Sequence, residues 1–420
     1  MSDTIEVTAV PASTGPGALW RNRDYVLLWS GQVVSTLGST ASGIVFPLLI
    51  LAITGSAVAA GIAGALQTIP YVIFSLPAGA LIDRWDRKRV MILCDVGRGV
   101  AFTSIPVAVL LDSLTLWHLY VVAFIEGTLF VFFNIAEVAA LPRVVPKSQI
   151  PDATALNQAA FGVAGIAGPS IGTFLYQTVG RMAPFVADAV SYFVSVGSLF
   201  AIRTRFQTER AAPKEDRHLG REIMEGLRWV WAQPVVRFMA FDAGITNLVF
   251  AGLALVLIVL ARQMGAPDGS IGLIFSIGSV GAILGSLAGG RLSRRFTFGQ
   301  IVIWTGWVQA LLYPLYILAP NILVLGAISA VIFMVVPIAS VAILSYRASL
   351  IPDELQGRVN SSVRLVAFGF QPLGSLLAGF LIERFGVEYA IATFSTCLIA
   401  LAVAVTLNRN IREARIDRGE

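Results

Sequence analysis

The sequence predicts an all-α polytopic membrane protein with twelve transmembrane helices arranged as two six-helix bundles. Charged residues make up only 13% of the 420 residues and hydrophobic residues make up 56%, whereas an ordinary soluble domain carries about 25% charged residues. Long stretches of the chain contain no charged residue, and one hydrophilic stretch near the middle separates the apolar segments into two equal groups. A soluble fold has no way to bury this much apolar surface.

The apolar segments are long enough to cross a bilayer as helices. A helix needs about 20 apolar residues to span about 30 Å of hydrocarbon, so the charge-free runs 25–82 and 296–346 each predict two helices joined by a tight turn. The turns are expected at 54–56 and 319–321, where small, polar or proline residues interrupt the apolar pattern. The remaining spans are predicted at 90–111, 116–141, 153–178, 183–202, 235–261, 269–292, 358–382 and 387–408.

These spans divide the chain into five parts. We expect a disordered cytoplasmic tail over 1–20, a first bundle over 21–202, a cytoplasmic linker over 203–234, a second bundle over 235–408 and a second cytoplasmic tail over 409–420. The first tail contains acidic residues and no apolar core, which is not the pattern of a signal peptide. Within the linker, apolar residues at helical spacing between Arg221 and Trp231 predict an amphipathic helix at the membrane surface. A linker helix that only connects the two bundles is the alternative.

Basic residues concentrate in the loops on one side of the predicted membrane. Cytoplasmic loops are enriched in Lys and Arg, so this side, together with both termini, is predicted to be cytoplasmic in the plasma membrane. The opposite side carries only Arg181, Arg262 and Arg384. The net charge of +5 therefore follows from topology and does not indicate nucleic-acid binding, which would need a basic stripe on a soluble face.

The sequence lacks patterns that other functional classes require. Cys94, Cys397, His118 and His218 are too few and too scattered for a disulfide framework or a His/Cys metal site. No Gly-x-x-x-x-Gly-Lys-Ser/Thr loop is present to bind a nucleotide. We therefore expect no enzyme activity, no metal and no direct drive by ATP.

The two bundles resemble each other in sequence. Pro146 and Pro352 each precede a Gly-rich helix that holds an internal proline, Pro169 or Pro372, at an offset of 203 to 206 residues. Two repeats of the same orientation, with the substrate held at the midplane between them, are a known architecture of membrane transporters.

Residues 79–89 form the most specific motif of the chain, in the loop between the second and third predicted helices. The motif residues are Gly79, Asp83, Arg84, Arg87, Lys88 and Arg89. They resemble the loop signature of the major facilitator superfamily, and a weaker copy without the aspartate occupies 289–295. We expect Gly79 to let two helices approach closely and Asp83 to act in a gate, accepting hydrogen bonds from a neighbouring helix N-terminus. A purely topogenic role of the basic cluster is the alternative.

The fifth predicted helix resembles the glycine-proline motif of antiporters in that superfamily. Its matching residues are Gly165, Gly168, Pro169 and Gly172. Small residues let membrane helices pack closely, and Pro169 removes a backbone hydrogen bond and so favours a bend. A Gly-rich membrane helix can also serve packing alone.

Three further segments resemble the efflux branch that holds enterobactin exporters and macrolide efflux pumps. They are 22–32, Asp95 with Arg98, and 225–230. The resemblance implies a secondary transporter that exports an amphipathic, drug-, antibiotic- or siderophore-like molecule by proton antiport and alternating access. It implies a proton gradient in place of a cofactor, and we expect a monomer. The chain departs from many drug/proton antiporters because its fourth helix lacks their arginine motif, so the usual arginine relay is in doubt.

Ionisable side chains inside the spans are candidates for function because they are costly in a membrane. By helical rise, Asp95, Arg98, Glu137 and Arg364 are expected in the cytoplasmic third of their helices. With Asp83 they are predicted to form an inner charge network that breaks and reforms during transport, or else a static set of paired charges.

Glu126 is the first candidate for proton coupling. It is expected about 15 Å into the fourth helix, at the midplane and in apolar surroundings, where a carboxyl group favours its protonated form. The alternative is a carboxylate locked by polar groups of a neighbouring helix. Asp188 and Asp242 are the next candidates.

Aromatic and polar side chains of the spans are candidates for lining a substrate cavity, and a lipid or packing contact is the alternative for any single aromatic residue. They are Gln32, Tyr71, Phe74, Phe130, Phe133, Asn247, Phe250, Trp304 and Gln371. Two other functions stay open at this point: a lipid or lysophospholipid flippase of the same fold, and a transport-inactive membrane receptor.

Overall fold

The computed structural model describes residues 19–207, 219–351 and 355–412, and over these residues its regular structure is entirely helical. Twelve helical spans of this part of the chain are long and apolar enough to cross a membrane, which confirms the predicted fold class. We number the helices α1 (Arg23–Thr54), α2 (Ala57–Arg84), α3 (Arg87–Leu110), α4 (Leu116–Val144), α5 (Ile150–Thr178), α6 (Ala183–Ala201), α7 (Pro234–Gln263), α8 (Asp268–Arg295), α9 (Phe298–Leu312), α10 (Ile322–Leu350), α11 (Gln356–Gly369 and Gln371–Phe385) and α12 (Val387–Leu407).

Several helices begin at a polar side chain that accepts a hydrogen bond from an otherwise unpaired N–H group of the first turn. Asn22 caps α1 in this way at 3.1 Å, and Asp86 caps α3 at 2.9 Å. Gly55 ends α1 with a φ of 66°, a left-handed conformation that favours glycine. Ser56 then caps α2 at 3.0 Å. At the turn predicted at 54–56, α1 therefore ends and α2 begins with only two residues between them.

Two predicted spans are interrupted. A 3₁₀ helix, Tyr313–Leu318, continues α9 toward the next turn. The second segment of α11 begins at Gln371 and carries Pro372 at its second position, where a proline ring is tolerated because its missing N–H would have no helical acceptor. The two segments meet at Phe370, so α11 bends near its middle.

The two halves of the chain form separate bundles with equivalent packing. In the first half α4 packs against α2 and α3, and α6 packs against α1 and α3. In the second half α10 packs against α8 and α9, and α12 packs against α9. The halves meet along two seams, α5 against α8 and α2 against the second segment of α11. Because α8 is the repeat of α2 and α11 the repeat of α5, each seam is the repeat of the other.

Short connections join most consecutive helices, which therefore run in opposite directions and place their loops at two faces. We call the face that carries the start of α1 and the end of α12 the terminal face. The other face, which carries the turn at 54–56 and the start of α8, is the opposite face.

A linker helix, Leu219–Ala232, lies in the predicted linker and packs against the first segment of α11. Glu225 forms an ion pair with Arg358 at 2.7 Å, while Met224 and Trp231 are exposed. The predicted tails lie largely outside the described residues, as do residues 208–218 of the linker.

Candidate functional site

The α5–α8 seam is held by small residues and hydroxyl groups. Ser279 donates a hydrogen bond to the Gly165 carbonyl oxygen at 2.8 Å, and the Ser170 and Ser276 hydroxyls are 2.8 Å apart. On the other side of α5, a Cβ at Gly172 would collide with the backbone of α1 at Ala41. The glycines of this helix therefore let α5 pack between α1 and α8.

The remaining residues of the glycine-proline motif have the same function in packing. A side chain at Gly168 would collide with Thr40 of α1, and the Pro169 carbonyl oxygen lies against Gly272 of α8. Residues 168–172 also read Gly-x-Ser-x-Gly, the pattern of a nucleophile elbow. That elbow requires a strand-to-helix turn, and these residues lie inside α5.

A pocket of about 280 Å³ lies between the halves, where α1, α2, α7 and α11 meet. Two predicted cavity residues, Phe250 and Gln371, line it, together with Gln67 and Thr68 of α2. The Gln371 amide donates a hydrogen bond to the Asn247 side-chain oxygen at 3.0 Å. The pocket lining contains no charged residue among those described.

Other predicted cavity residues surround this pocket or lie away from it. Tyr71 of α2 stacks on Phe368 of α11 with ring centroids 5.1 Å apart, on the terminal-face side of the pocket. Phe74 packs on Phe132 of its own half. Gln32 lies nearer the start of α1, and its amide nitrogen is buried without a hydrogen-bond partner among the described residues.

Two predicted cavity residues, Phe133 and Trp304, are not among the residues that line this pocket. Phe133 is 4% exposed and lies in the core of the first bundle. Trp304 is half-buried against a core cluster of the second bundle, on α9, whose main packing partners are helices of its own half. The periodicity of an all-apolar helix does not reveal which of its side chains line a cavity.

A buried charge cluster lies in the first bundle, directly behind the pocket. The Arg98 guanidinium contacts a Glu126 oxygen at 3.0 Å and Asp95 at 3.9 Å, and it lies 4.2 Å from the centre of the Tyr192 ring. The Gln67 amide, which lines the pocket, donates a hydrogen bond to the second Glu126 oxygen at 2.8 Å. Asp95, Arg98 and Glu126 are all less than 10% exposed.

These contacts correspond to the alternative given for Glu126, a carboxylate held by polar groups of neighbouring helices. Its carboxyl group is not isolated in apolar surroundings, because Arg98 and Gln67 each bind one of its oxygens. Arg98 is the twelfth of 24 residues in α3, so it lies near the middle of the helix and not in its cytoplasmic third. Phe130, another predicted cavity residue, places its ring 5.6 Å from the same guanidinium.

The predicted inner charge network does not form as one group. Asp95 and Arg98 are paired, but Glu137 has no ion pair with either among the described residues. Arg364 lies on the other half, exposed, with its guanidinium carbon 6.0 Å from the Tyr71 ring. Glu137 and Arg364 were expected at the same membrane depth as Asp95 and Arg98, but a similar depth does not make residues of different helices contact one another.

The two further acidic candidates have different surroundings. Asp188 is fully buried on α6 and accepts a hydrogen bond from Ser42 of α1. One helical turn away, the Tyr192 hydroxyl is 2.9 Å from the Ser39 hydroxyl. Asp242 lies on α7 in the other half and has no ion pair among the described residues.

The loop motif is bound mainly within the first half. Asp83 is exposed and pairs with Arg87 at 3.5 Å, and Arg87 also donates to the Ala139 carbonyl oxygen at 2.8 Å. Lys88 donates to the Ile202 carbonyl oxygen at 2.6 Å. These carbonyls lie at the ends of α4 and α6, where a positive side chain is stabilised by the helix dipole.

Gly79 does not fulfil its predicted role in close helix packing, since a Cβ there would meet open space. The exposed Arg84 and Arg89 instead line a groove of about 1000 Å³ at the terminal face. The basic loop motif therefore combines half-buried side chains that hydrogen-bond to the first bundle, Arg87 and Lys88, with the exposed charges of Arg84 and Arg89 at the terminal face.

Several residues of the site were not predicted from the sequence. Gln67 connects the pocket to Glu126, and Tyr192 and Ser42 complete the cluster. Gln67 could have been predicted from the sequence, because it is an amide side chain in a largely apolar membrane helix, like the predicted cavity residues Asn247 and Gln371. Tyr192 and Ser42 could not, because such residues are common in membrane helices.

Comparisons with known proteins agree with this architecture. The chain is 28% identical over 410 residues to the multidrug efflux pump Tap of Mycolicibacterium fortuitum, covering 92% of this chain and 96% of that protein. It is 23% identical over 406 residues to macrolide efflux protein A of Streptococcus pyogenes, covering 94% and 98%. Among solved structures, a bacterial homologue of the iron transporter ferroportin in an inward-facing state is similar, with a TM-score of 0.73, 14% identity, and coverage of 94% of this chain and 100% of that one.

Two helical bundles that meet along repeated seams and enclose a pocket are the fold of the major facilitator superfamily, whose members are transporters and not enzymes. The family described as transmembrane secretion effector matches residues 14–418. The chain belongs to that family, which confirms the resemblance drawn from the loop motif and the repeats.

Proposed function

We propose that this protein exports amphipathic small molecules of the drug, antibiotic or siderophore-like class across the plasma membrane, driven by proton entry. The names of its relatives, a multidrug efflux pump and a macrolide efflux protein, support this substrate class. Both termini are proposed to be cytoplasmic because the basic loops lie at the terminal face. The protein works as a monomer and needs no cofactor beyond the proton gradient.

One observation carries the proposal: Gln67 lines the pocket and also binds Glu126, which in turn binds Arg98. A molecule that enters the pocket and takes the Gln67 amide as a hydrogen-bond donor removes that donor from the carboxylate. Conversely, a proton on Glu126 weakens its hold on Gln67 and Arg98. Substrate and proton thereby act on the same three side chains.

The charge count of these buried groups supports a proton site. Asp95 and Glu126 share the Arg98 guanidinium, and Asp188 has no ion pair among the described residues, so the three carboxyl groups, if all were ionised, would carry two uncompensated negative charges within the bilayer. Such charges are costly away from water, and interacting carboxyl groups take up protons as a set. We infer that the set binds a proton from outside and releases it when the pocket opens to the cytoplasm.

The pocket chemistry fits an amphipathic substrate. Phe46 and Phe250 offer apolar surface, while Gln67, Thr68 and Gln371 offer uncharged polar groups. Its volume lies just below the range of about 300–1,000 Å³ typical of small-molecule sites. Because the pocket is small, a larger substrate would place only its polar part in the pocket, and its apolar part would extend toward Tyr71 and the terminal face.

The conformation is proposed to be inward-facing. Both seams are tightly packed toward the opposite face, and α2 packs mainly on the second segment of α11, which is the one nearer that face. With the terminal face in the cytoplasm, the pocket communicates with the cytoplasmic side and is closed to the outside. Alternating access then requires the seams to part at the opposite face.

Expression in a host without its own drug pumps tests the proposal. We expect resistance to, and reduced accumulation of, at least one amphipathic compound in a panel that includes macrolides, other antibiotics, siderophores and lysophospholipids. Purified protein in liposomes should then move that compound against its own concentration gradient only when a proton gradient is imposed. Transport of the lipids alone would favour a flippase, and no flux of any compound would favour a receptor.

Reporter fusions test the orientation separately. A reporter placed after Glu420 should be cytoplasmic, and one placed at Asp112 should be external. An external reporter at the C-terminus would overturn both the orientation and the inward-facing assignment.

A further inference from the structure

Two hydrogen-bonded caps join the halves at the opposite face, away from the pocket and the charge cluster. In the first, Glu383 near the end of α11 accepts hydrogen bonds from the Ser56 hydroxyl at 2.5 Å and from the Val58 N–H at 2.8 Å. In the second, the Gln177 side-chain oxygen near the end of α5 accepts a hydrogen bond from the Gly269 N–H at 2.6 Å. Each acceptor therefore pairs an N–H group in the first turn of a helix that belongs to the other half.

The internal repeat relates the two caps. Val58 and Gly269 are the second residues of α2 and α8, and Glu383 follows Gln177 by 206 residues, an offset found elsewhere between the halves. The same cap geometry therefore occurs once in each repeat, although the acceptor residue is Gln177 in one repeat and Glu383 in the other.

The backbones of each seam also approach closely one turn beyond the cap. A Cβ at Gly61 of α2 would lie 2.5 Å from the Ser375 carbonyl oxygen of α11, and one at Gly272 of α8 would collide with the Pro169 carbonyl oxygen of α5. Ser375 and Pro169 are again 206 residues apart. A helix that is drawn this close to its partner holds the capping side chain in place.

The two caps differ in the charge of the acceptor, and they differ in whether the helix keeps another side-chain cap when the acceptor is removed. Glu383 places a carboxylate at the positive end of a helix, which strengthens its hydrogen bonds, whereas Gln177 offers only a neutral amide. If Glu383 is removed, Ser56 still caps α2 through the Ala59 N–H. The residue before α8 is Pro267, which has no side-chain cap, so α8 depends on Gln177.

We propose that Glu383 and Gln177 are the positioning residues that hold the opposite face shut, and that the Glu383 cap contributes more than the Gln177 cap. The inference rests on the proposed alternating access, in which both caps must break before the outward-facing state can form. It identifies which contacts set the balance between the two states, independently of the proton site and the substrate.

Distance measurements between the halves test the inference. Spin labels are attached to Leu111→Cys and Leu318→Cys, two exposed positions at the opposite face in different halves, after Cys94 and Cys397 are replaced by alanine. In full-length protein in lipid nanodiscs, Glu383→Ala should raise the ratio of long to short distances by about tenfold, because it removes charge-assisted hydrogen bonds. Gln177→Ala should raise it by about threefold, because a neutral hydrogen bond is weaker.

Two variants keep the test interpretable. Glu383→Gln retains an acceptor of the same shape and should shift the ratio by less than Glu383→Ala. Glu388→Ala removes another exposed carboxylate at the same face, in the first turn of α12, and should match the parent protein. Size-exclusion profiles and helical content should be unchanged in all four.

The outcomes separate this inference from the proposed function. If Glu383→Ala gives the same distances as the parent and Glu388→Ala, the caps do not hold the gate and the inference fails, whether or not the protein transports drugs. The distances need no substrate, so a shift in Glu383→Ala supports the caps even where no compound is exported. An equal shift in Glu388→Ala would assign the effect to general surface charge and overturn the inference.

Discussion

The two halves share one packing plan but differ in what they bury. Arg98 is the twelfth residue of α3, and the twelfth residue of α9 is Gln309. Glu126 is the eleventh residue of α4, and the eleventh residue of α10 is Ile332. The first half therefore buries charges where the second buries a neutral amide and an aliphatic side chain.

This difference separates two tasks that a transporter of this kind must perform. A membrane-embedded charge cluster is costly and is not required for packing, because the second half forms the same bundle without it. The first half thus has the groups that can bind a proton. The second half supplies Phe250, Asn247 and Gln371 around the pocket and has no matching cluster among its described residues.

Replacing Arg98 with glutamine gives α3 the residue that α9 carries at the equivalent position, Gln309. The substitution therefore removes the one positive charge of the buried cluster. Glu126 and Asp95 would then lose their counter-ion while buried, a change that costs about 3–5 kcal/mol. We expect the largest effect of any single substitution: a clear fall in thermal midpoint in detergent and complete loss of drug efflux.

A double variant shows whether the loss comes from charge. Arg98→Gln combined with Glu126→Gln should recover part of the stability, because one unpaired carboxylate is removed with the guanidinium, but it should not recover efflux. Gln309→Met in the second half is the matched control and should pump normally. Normal efflux by Arg98→Gln would contradict the role of the cluster.

Glu126→Gln should have the next largest effect on transport with little effect on folding. The amide oxygen can still accept from Arg98, and the amide N–H can donate to the Gln67 oxygen once the Gln67 amide turns round, so both partners stay bonded while the proton exchange of the side chain is lost. We expect at least tenfold less drug-induced proton release in liposomes, while exchange of drug across the membrane without a gradient persists.

Glu137→Gln on the same helix is the control for this variant, since that carboxyl group has no ion pair with Arg98 in the described structure. It should pump like the parent. Uphill efflux at the parent's rate by Glu126→Gln would transfer the coupling role to Asp188, the buried carboxyl group of α6.

Asp83→Asn should reduce transport severalfold. Asp83 is the 27th residue of α2, and the 27th residue of α8 is Arg294, so the aspartate is specific to the first half. In this conformation it is exposed and pairs only with Arg87 among the described residues, which leaves it available to bind across the terminal face when that face closes. Asp86→Asn, which preserves the cap of α3, should be silent, and equal activity of both variants would reduce the loop to a topogenic role.

Composition and run length were sufficient to predict the twelve helices, because the cost of exposing backbone polar groups to lipid leaves few alternatives. The family also followed from local motifs, since Asp83 and its basic neighbours are close in sequence. The arrangement of the site did not follow. Arg98, Glu126 and Asp188 come from three helices, and an apolar helix gives no periodic signal for the face that carries them. This is why the sequence did not show that Phe133 and Trp304 lie outside the pocket lining, or that Arg98 is the ion-pair partner of Glu126.

The smallest expected effect is also the most discriminating, because it compares two glutamines that face the same pocket from different halves. Gln371 binds Asn247 and no charged group, whereas Gln67 binds Glu126. Replacing Gln371 with leucine removes one hydrogen-bonding group of about 0.5–1.5 kcal/mol, so we expect resistance to individual drugs to change by about two- to tenfold. The number of protons released per drug molecule should stay that of the parent. Gln67→Leu should alter both quantities, because it also frees one oxygen of the Glu126 carboxylate.

The measurement is drug flux and proton flux recorded together in the same liposomes across several drugs. If Gln371→Leu changes the proton-to-drug ratio, or Gln67→Leu leaves it intact, the division of tasks between the halves is wrong.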